Sequence, residues 1–179
     1  MCIRDRYYKE LHPGTNTENE FRNGIFGYFS VCDQYNRDIE NVTGYGLADL
    51  RMNPNTLTLM AFLFEFKLLQ TKKLSNEEMK KRLLIAFRQV FVRQYDVPTW
   101  YPKCKVIAVA FRYGDIGMAY VSREDLMKYG KEQEASLGKK CDFVQCKGKN
   151  QLCSHFVDFK PTFIEPERYA EVVLEVPST

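Results

Sequence analysis

The most informative segment of the chain is residues 57–69, which read Leu-Thr-Leu-Met-Ala-Phe-Leu-Phe-Glu-Phe-Lys-Leu-Leu. A nearly continuous apolar run of this length is typical of a strand that is buried on both faces in the middle of a sheet. Glu65 and Lys67 are the charged residues in it. Because side chains alternate along a strand, Glu65 and Lys67 project from one face and their neighbours from the other. The sequence therefore predicts a central strand with an anion and a cation side by side.

A second carboxylate is expected near this pair. Burying an unpaired carboxylate in an apolar strand costs on the order of several kcal/mol, so Glu65 requires a compensating positive charge, which Lys67 can supply. The turn sequence at residues 53–55, Asn-Pro-Asn, predicts that two strands pair about it, which would let Asp49 converge with Glu65. Two carboxylates and a backbone carbonyl form a hard oxygen site suited to Mg²⁺ or Mn²⁺. A lysine beside such an ion can orient and help deprotonate a water, or neutralise charge that develops on a phosphate.

The rest of the chain supplies helices and further strands. Ser75 followed three residues later by Glu78 is a capping box, which predicts a long helix to about Tyr95. The other predicted elements are a helix over 18–33, a loop over 41–46, strands over 47–52, 105–111 and 116–121, and a short helix from Ser122 or Arg123 to Tyr129. This order predicts an α/β fold, with a mixed central sheet flanked by helices.

Composition narrows the classes of protein that the chain can be. It has 179 residues, of which 45% are hydrophobic and 27% charged, and these proportions are typical of a globular domain. No apolar run approaches the roughly 20 residues that a membrane-spanning helix needs, so we expect no membrane segment. The net charge of +3 is too small by itself to indicate nucleic acid. Six cysteines with no signal peptide ahead of them predict reduced thiols and a cytoplasmic location.

Three segments are expected along the chain. Residues 1–6 resemble translated sequencing-adapter remnants, so we treat them as a non-native start and exclude them from the fold. Residues 7–130 are the predicted core, and residues 131–179 are a C-terminal extension that is partly irregular. This extension contains four candidate zinc ligands, spaced as Cys141-x4-Cys146-x6-Cys153-x-His155. Because this spacing matches no finger or knuckle, free thiols are the expected state.

A family resemblance rests on two motifs, Gly44-Tyr45-Gly46-Leu47-Ala48-Asp49 and Phe64-Glu65-Phe66-Lys67. Together they resemble the PD-(D/E)XK nuclease superfamily, and most closely its bacterial domains that follow an AAA-ATPase-like region. Those domains have a glycine-rich G-x-G-x-x-D and then an apolar strand that ends in E-F-K. Their next helix carries an alanine, a glutamine and a tyrosine, matched here by Ala86, Gln89 and Tyr95. The resemblance covers about residues 18–121 and implies a restriction-endonuclease-like core.

The resemblance implies a metal-dependent nuclease that hydrolyses phosphodiester bonds in nucleic acid, with DNA favoured over RNA. Asp49 and Glu65 would hold Mg²⁺ or Mn²⁺, and a glutamate of the first helix, Glu18 or Glu20, would be a further carboxylate. Lys67 would position or activate the attacking water. An upstream AAA-ATPase-like domain is the implied partner.

The helix after the E-F-K strand carries the remaining predicted contacts. Gln89 would steady the site or the substrate. Residues 72–93 contain seven basic and two acidic residues, and this concentration of positive charge favours contacts with phosphates. The residues expected to contact nucleic acid are Lys80, Arg82, Arg88, Arg93 and Tyr95.

Two other interpretations stay open. In the first, the chain is a catalytically inactive module of the same fold, which binds nucleic acid or protein beside an ATPase-like domain. In the second, it is a structural α/β domain. In the structural interpretation, Glu65 and Lys67 form an ion pair and the basic helix is a solvated surface. Stabilisation by Mg²⁺ or Mn²⁺ separates these interpretations from the nuclease, because an ion that binds the native state must raise its stability.

Overall fold

The structure is a computed structural model, which describes residues 35–43, 46–56, 60–69, 75–94, 103–112, 115–142 and 151–164. The predicted helix over residues 18–33 lies outside these residues. The described strands are β1 (Tyr35–Thr43), β2 (Gly46–Pro54), β3 (Ala61–Leu68), β4 (Cys104–Arg112), β5 (Asp115–Ser122) and β6 (Thr162–Ile164). The described helices are α1 (Asn76–Arg93) and α2 (Arg123–Leu137).

The six strands form one sheet in which spatial order equals chain order, β1-β2-β3-β4-β5-β6. All neighbouring pairs are antiparallel except β3 and β4, which run parallel and are connected through α1. A parallel pair needs such a crossover because its strands start at the same end of the sheet. The predicted α/β fold with a mixed sheet is confirmed, and it is consistent with a restriction-endonuclease-like core.

Strand β3 lies inside the sheet, and its residues from Ala61 to Lys67 are buried, as the apolar run predicts. Its two faces contribute to separate apolar clusters. Phe62, Phe64 and Phe66 pack with residues of β2 and β4 on one face. Leu63 packs on the other face, with the apolar side of α1. By alternation, Glu65 and Lys67 share the face that α1 covers.

Helix α1 begins as the capping box predicts. The Ser75 side-chain oxygen accepts the Glu78 backbone N–H at 3.2 Å, which satisfies one of the unpaired amides of the first turn. The helix ends at Arg93, where Gln94 takes a left-handed conformation with φ 46° and donates its N–H to the Phe91 carbonyl. Its apolar side packs against β4 through side chains that include Phe87. The local capping signal thus fixes where this helix starts.

Several predicted boundaries differ from the structure. Residues 41–43 belong to β1 rather than to a loop, because they pair with residues 46–48 of β2 in a hairpin. Asn53 and Pro54 still belong to β2, and the bend comes at Asn55 and Thr56.

Helix α2 begins after its N-cap Ser122, as expected, but continues past Tyr129 to Leu137. The predicted domain boundary at residue 130 therefore falls inside a helix.

The described part of the C-terminal extension packs onto the same core. Strand β6 pairs with β5, with Ala119 in register with Phe163. Phe156 and Phe159 are buried, and their rings contact those of Phe91, Phe87 and Tyr129. Residues 151–164 are thus part of the packed unit. Within the described ranges, neither helix has the length and apolarity needed to cross a bilayer.

Candidate active site

The pairing between β2 and β3 stops at a carboxylate. The two strands are in register from Met52 opposite Phe62 to Leu50 opposite Phe64. At the next position the Asp49 side chain takes part, because its Oδ2 accepts the backbone N–H of Phe66 at 2.7 Å. A side-chain oxygen thus satisfies a β3 amide where the ladder ends, and Asp49 is held against the middle of β3.

Glu65 and Lys67 form an ion pair within β3. The Lys67 Nζ donates to Glu65 Oε1 at 2.7 Å and to the Phe66 carbonyl at 2.9 Å. Glu65 is 0% exposed and Lys67 is 6% exposed, so solvent contributes little to the hydration of either charge. In the neighbouring strand, Ala108 is in register with Glu65 and Ala110 with Lys67. These small side chains leave room beneath α1 for the longer polar ones.

The electrostatic environment of Glu65 disfavours its charged form. Burial, the largest effect, raises the pKa of Glu65 from 4.5 to about 7. The Lys67 ammonium opposes this rise, the Asp49 charge adds to it, and the Arg93 charge weakly opposes it. Asp49 therefore lies close enough to Glu65 for their charges to interact. The arrangement concentrates two carboxylates and one ammonium on one side of the sheet.

Gln89 and Arg93 lie on α1, the helix that covers this face. Gln89 is buried, with 6% of its surface exposed. Arg93 is in the last turn of α1 and is partly exposed, and its charge acts on Glu65. Both therefore belong to the element that packs over the ion pair.

The other basic residues predicted to contact nucleic acid have different surroundings. The Arg82 Nε donates to Glu78 one helical turn earlier at 3.1 Å, and the Lys80 ammonium lies 5.5 Å from the centre of the Phe163 ring. Arg88 is 1% exposed, and its guanidinium donates to the backbone carbonyls of Gln151 at 2.9 Å and Asp142 at 3.4 Å. The position of Arg88 does not favour the predicted phosphate contact, because its guanidinium is buried among protein carbonyls. Tyr95, Glu18 and Glu20 lie outside the described residues.

Three side chains of the C-terminal extension lie close together, although their spacing in the sequence did not predict a site. Cys141, Cys153 and a ring nitrogen of His155 lie within 4.8 Å of one another. Cys104, Cys141 and Cys153 are not in a disulfide. The grouping itself was missed because its members come from two segments that the fold brings together. Cys146 lies outside the described residues.

Comparison with known proteins supplies a family. A sequence model of the PD-(D/E)XK nuclease superfamily matches residues 16–114, more than half of the chain. The match includes β1 to β4 and α1, and therefore all of the residues that form the carboxylate and lysine arrangement. A search of curated proteins found no match, and a search of solved structures found none.

Proposed function

Because the chain belongs to the PD-(D/E)XK nuclease superfamily, we propose that it is a metal-dependent nuclease that hydrolyses phosphodiester bonds, with DNA as the favoured substrate. The observation that carries this proposal is the juxtaposition of Asp49, Glu65 and Lys67 where the β2–β3 ladder ends. Asp49 is held there by the Phe66 amide, and Lys67 is bonded to both Glu65 and the Phe66 carbonyl. Two carboxylates and one ammonium where the β2–β3 pairing ends would together hold an ion and a water.

The donor set fits a hard divalent cation. Asp49 and Glu65 would hold Mg²⁺ or Mn²⁺, and the Phe66 carbonyl is the nearby neutral oxygen, since oxygen ligands are those that these ions prefer. The raised pKa of Glu65 supports this fit. Lys67 alone does not fully offset the cost of burying the charged carboxylate, and a bound cation would offset more of it. When bound, such an ion stabilises negative charge on the scissile phosphate and acidifies a water.

The chain's own residues have separate roles in this proposal. The Lys67 ammonium positions the attacking water and neutralises charge on the phosphate, and its bond to the Phe66 carbonyl restricts the directions in which it can point. Gln89 steadies the site or the substrate from α1. The apolar packing around β3 strengthens each of these charge interactions by limiting the access of bulk water.

We assign substrate binding to the exposed part of α1. Arg93 is a basic residue of α1 whose charge acts on Glu65, and Lys80 and Arg82 lie nearer the start of the same helix. Contacts of this kind bind the phosphate backbone without reading its sequence.

The resemblance to domains that follow an AAA-ATPase-like region supports such a domain as a partner. The cytoplasm is the proposed compartment, since Cys104, Cys141 and Cys153 are not in a disulfide.

Melting experiments test the metal site first. The purified chain is melted in EDTA and then in Mn²⁺, beside Asp49→Asn and Glu65→Gln, which keep the shape of each side chain. At ten times its dissociation constant an ion stabilises the native state by about 1.4 kcal/mol, which raises the Tm of a chain of this size by roughly 3–6 °C. We expect this shift in the wild type and its loss in both variants.

Cleavage assays then test the chemistry. Lys67→Met is compared with Lys128→Met, which changes an exposed lysine of α2. On DNA and RNA substrates in Mg²⁺ or Mn²⁺, we expect Lys128→Met to cleave like the wild type, and Lys67→Met to lose cleavage while keeping the Mn²⁺ shift. Normal cleavage by Asp49→Asn or Glu65→Gln would refute the mechanism. A wild type with neither shift nor cleavage would favour the inactive module.

A further inference from the structure

The cysteine and histidine group lies far along the chain from the proposed nuclease site and has the donor chemistry of a different metal. Thiolate and imidazole are the preferred ligands of Zn²⁺, whereas the carboxylates of β2 and β3 suit Mg²⁺ or Mn²⁺. The Cys141 and His155 side chains are 5% and 3% exposed, and Cys153 is half-buried. Three such donors in one buried place call for an explanation beyond apolar packing.

The spacing of the two sulfurs fits one shared ion. The Cys141 and Cys153 Sγ atoms are 3.6 Å apart. Two sulfurs bound tetrahedrally to one Zn²⁺ at about 2.3 Å lie roughly 3.8 Å from each other. A disulfide would instead bring them to about 2.05 Å. The observed distance is thus close to that of a zinc dithiolate.

The tautomer of His155 supplies the third donor. Its Nε2 lies 2.9 Å from the Lys139 carbonyl. A carbonyl oxygen can only accept, so Nε2 donates this bond, and in the neutral ring the lone pair is then on Nδ1. Within the described ranges, this buried Nδ1 has no hydrogen-bond partner. Metal-binding histidines usually donate their other ring N–H to a carbonyl or carboxylate in this way, which fixes the orientation of the ring.

Neighbouring contacts hold the group in place. The Cys141 N–H donates to the Glu134 carboxylate of α2 at 2.7 Å. Buried Arg88 of α1 also donates to the carbonyls of Gln151 and Asp142, which flank the group in the sequence. The group is therefore built where α1, α2 and the C-terminal segment meet.

We propose that Cys141, Cys153 and His155 bind a Zn²⁺ ion, which fastens residues 151–160 to the segment that follows α2. Three protein donors fill three of the four tetrahedral positions of zinc. The ion then links the end of α2 to the segment that contributes Phe156 and Phe159 to the core. Its role is separate from the chemistry proposed for Asp49 and Glu65, because its ligands are two thiolates and an imidazole rather than carboxylates.

Cobalt substitution tests this proposal without relying on activity. The full chain is purified under reducing conditions, its zinc content is measured by mass spectrometry, and the metal-free protein is titrated with Co²⁺. We expect about one Zn²⁺ per chain, and a thiolate-to-cobalt charge-transfer absorption that one equivalent of Zn²⁺ abolishes. Cys153→Ser and His155→Ala should lose the bound zinc. Cys104→Ser is the matched control, because it removes a thiol outside the group.

The absorption also separates this site from the proposed nuclease site. Carboxylates give no thiolate charge transfer, so Glu65→Gln should keep the band whether or not the chain is a nuclease. A folded wild type, verified by circular dichroism, that has no zinc and no cobalt band would overturn the proposal. A Cys141–Cys153 disulfide in protein purified under reducing conditions would also overturn it.

Discussion

The burial of Glu65 predicts a dependence of stability on pH that one isosteric substitution should remove. In the native state its pKa is raised to about 7, whereas its ordinary value is 4.5. Between these values the folded chain binds a proton that the unfolded chain has released. The stabilising effect is therefore complete below pH 4.5 and is lost as pH rises through 7. Between pH 5 and pH 8 the loss amounts to about 2–3 kcal/mol.

Glu65→Gln mimics the protonated carboxyl at every pH and should not show this loss. Urea unfolding in EDTA at pH 5 and pH 8 gives the free energy of unfolding for wild type and variant. The comparison uses the change between the two pH values, because losing the partner of Lys67 shifts the variant at both. We expect the wild type to lose about 2–3 kcal/mol more than the variant.

The control is Glu132→Gln, which makes the same substitution at an exposed position of α2. Its pH dependence should match that of the wild type. If wild type and Glu65→Gln lose the same free energy between pH 5 and pH 8, then Glu65 does not bind a proton more tightly in the native state. The burial of Glu65 would then give no reason for a cation to bind beside it.

Three further predictions concern packing and capping, each measured as the change in the free energy of urea unfolding. Ser75→Ala removes the N-cap of α1 and should cost about 1 kcal/mol, whereas Ser75→Asp should cost little; an equal loss in both would contradict the cap. Gly130→Ala places a Cβ against the Phe91 ring, so overpacking of about 1–3 kcal/mol should outweigh the gain of up to about 1 kcal/mol in helix propensity; stabilisation would contradict this close contact. Phe156→Ala should cost about 3–5 kcal/mol and the exposed Val157→Ala less than about 0.5 kcal/mol; similar values would mean that the C-terminal segment does not pack on the core.

The elements that could be predicted are those whose signals are local. The apolar run that contains β3 needs no partner to be recognised, and its alternation alone puts Glu65 beside Lys67. The capping box at Ser75 is equally local. Strand β1 was missed because its sequence, Tyr-Asn-Arg-Asp-Ile-Glu-Asn-Val-Thr, is largely polar, and it occupies the outer position of the described sheet. What defines it is its pairing with β2.

Other features depend on tertiary contacts that a single sequence does not contain. Gly130 looks like the end of a helix, but it lies within α2, where its missing side chain gives room to Phe91. Arginine is a residue type that often contacts phosphates, and only the packing of α1 reveals that Arg88 is buried. The grouping of Cys141 with His155 requires the C-terminal segment to fold back. Its spacing along the chain therefore resembles no compact metal motif.

The order of the strands has a consequence for how the chain reaches this fold. Each described strand pairs with its predecessor, so no strand has to be inserted between two that are already in place. Contacts between segments close in sequence cost little loop-closure entropy and favour rapid folding. Seventeen positions separate Asp49 from the Phe66 amide that it binds. The contact between Asp49 and β3 therefore closes a short loop and needs no segment of the chain that follows β3.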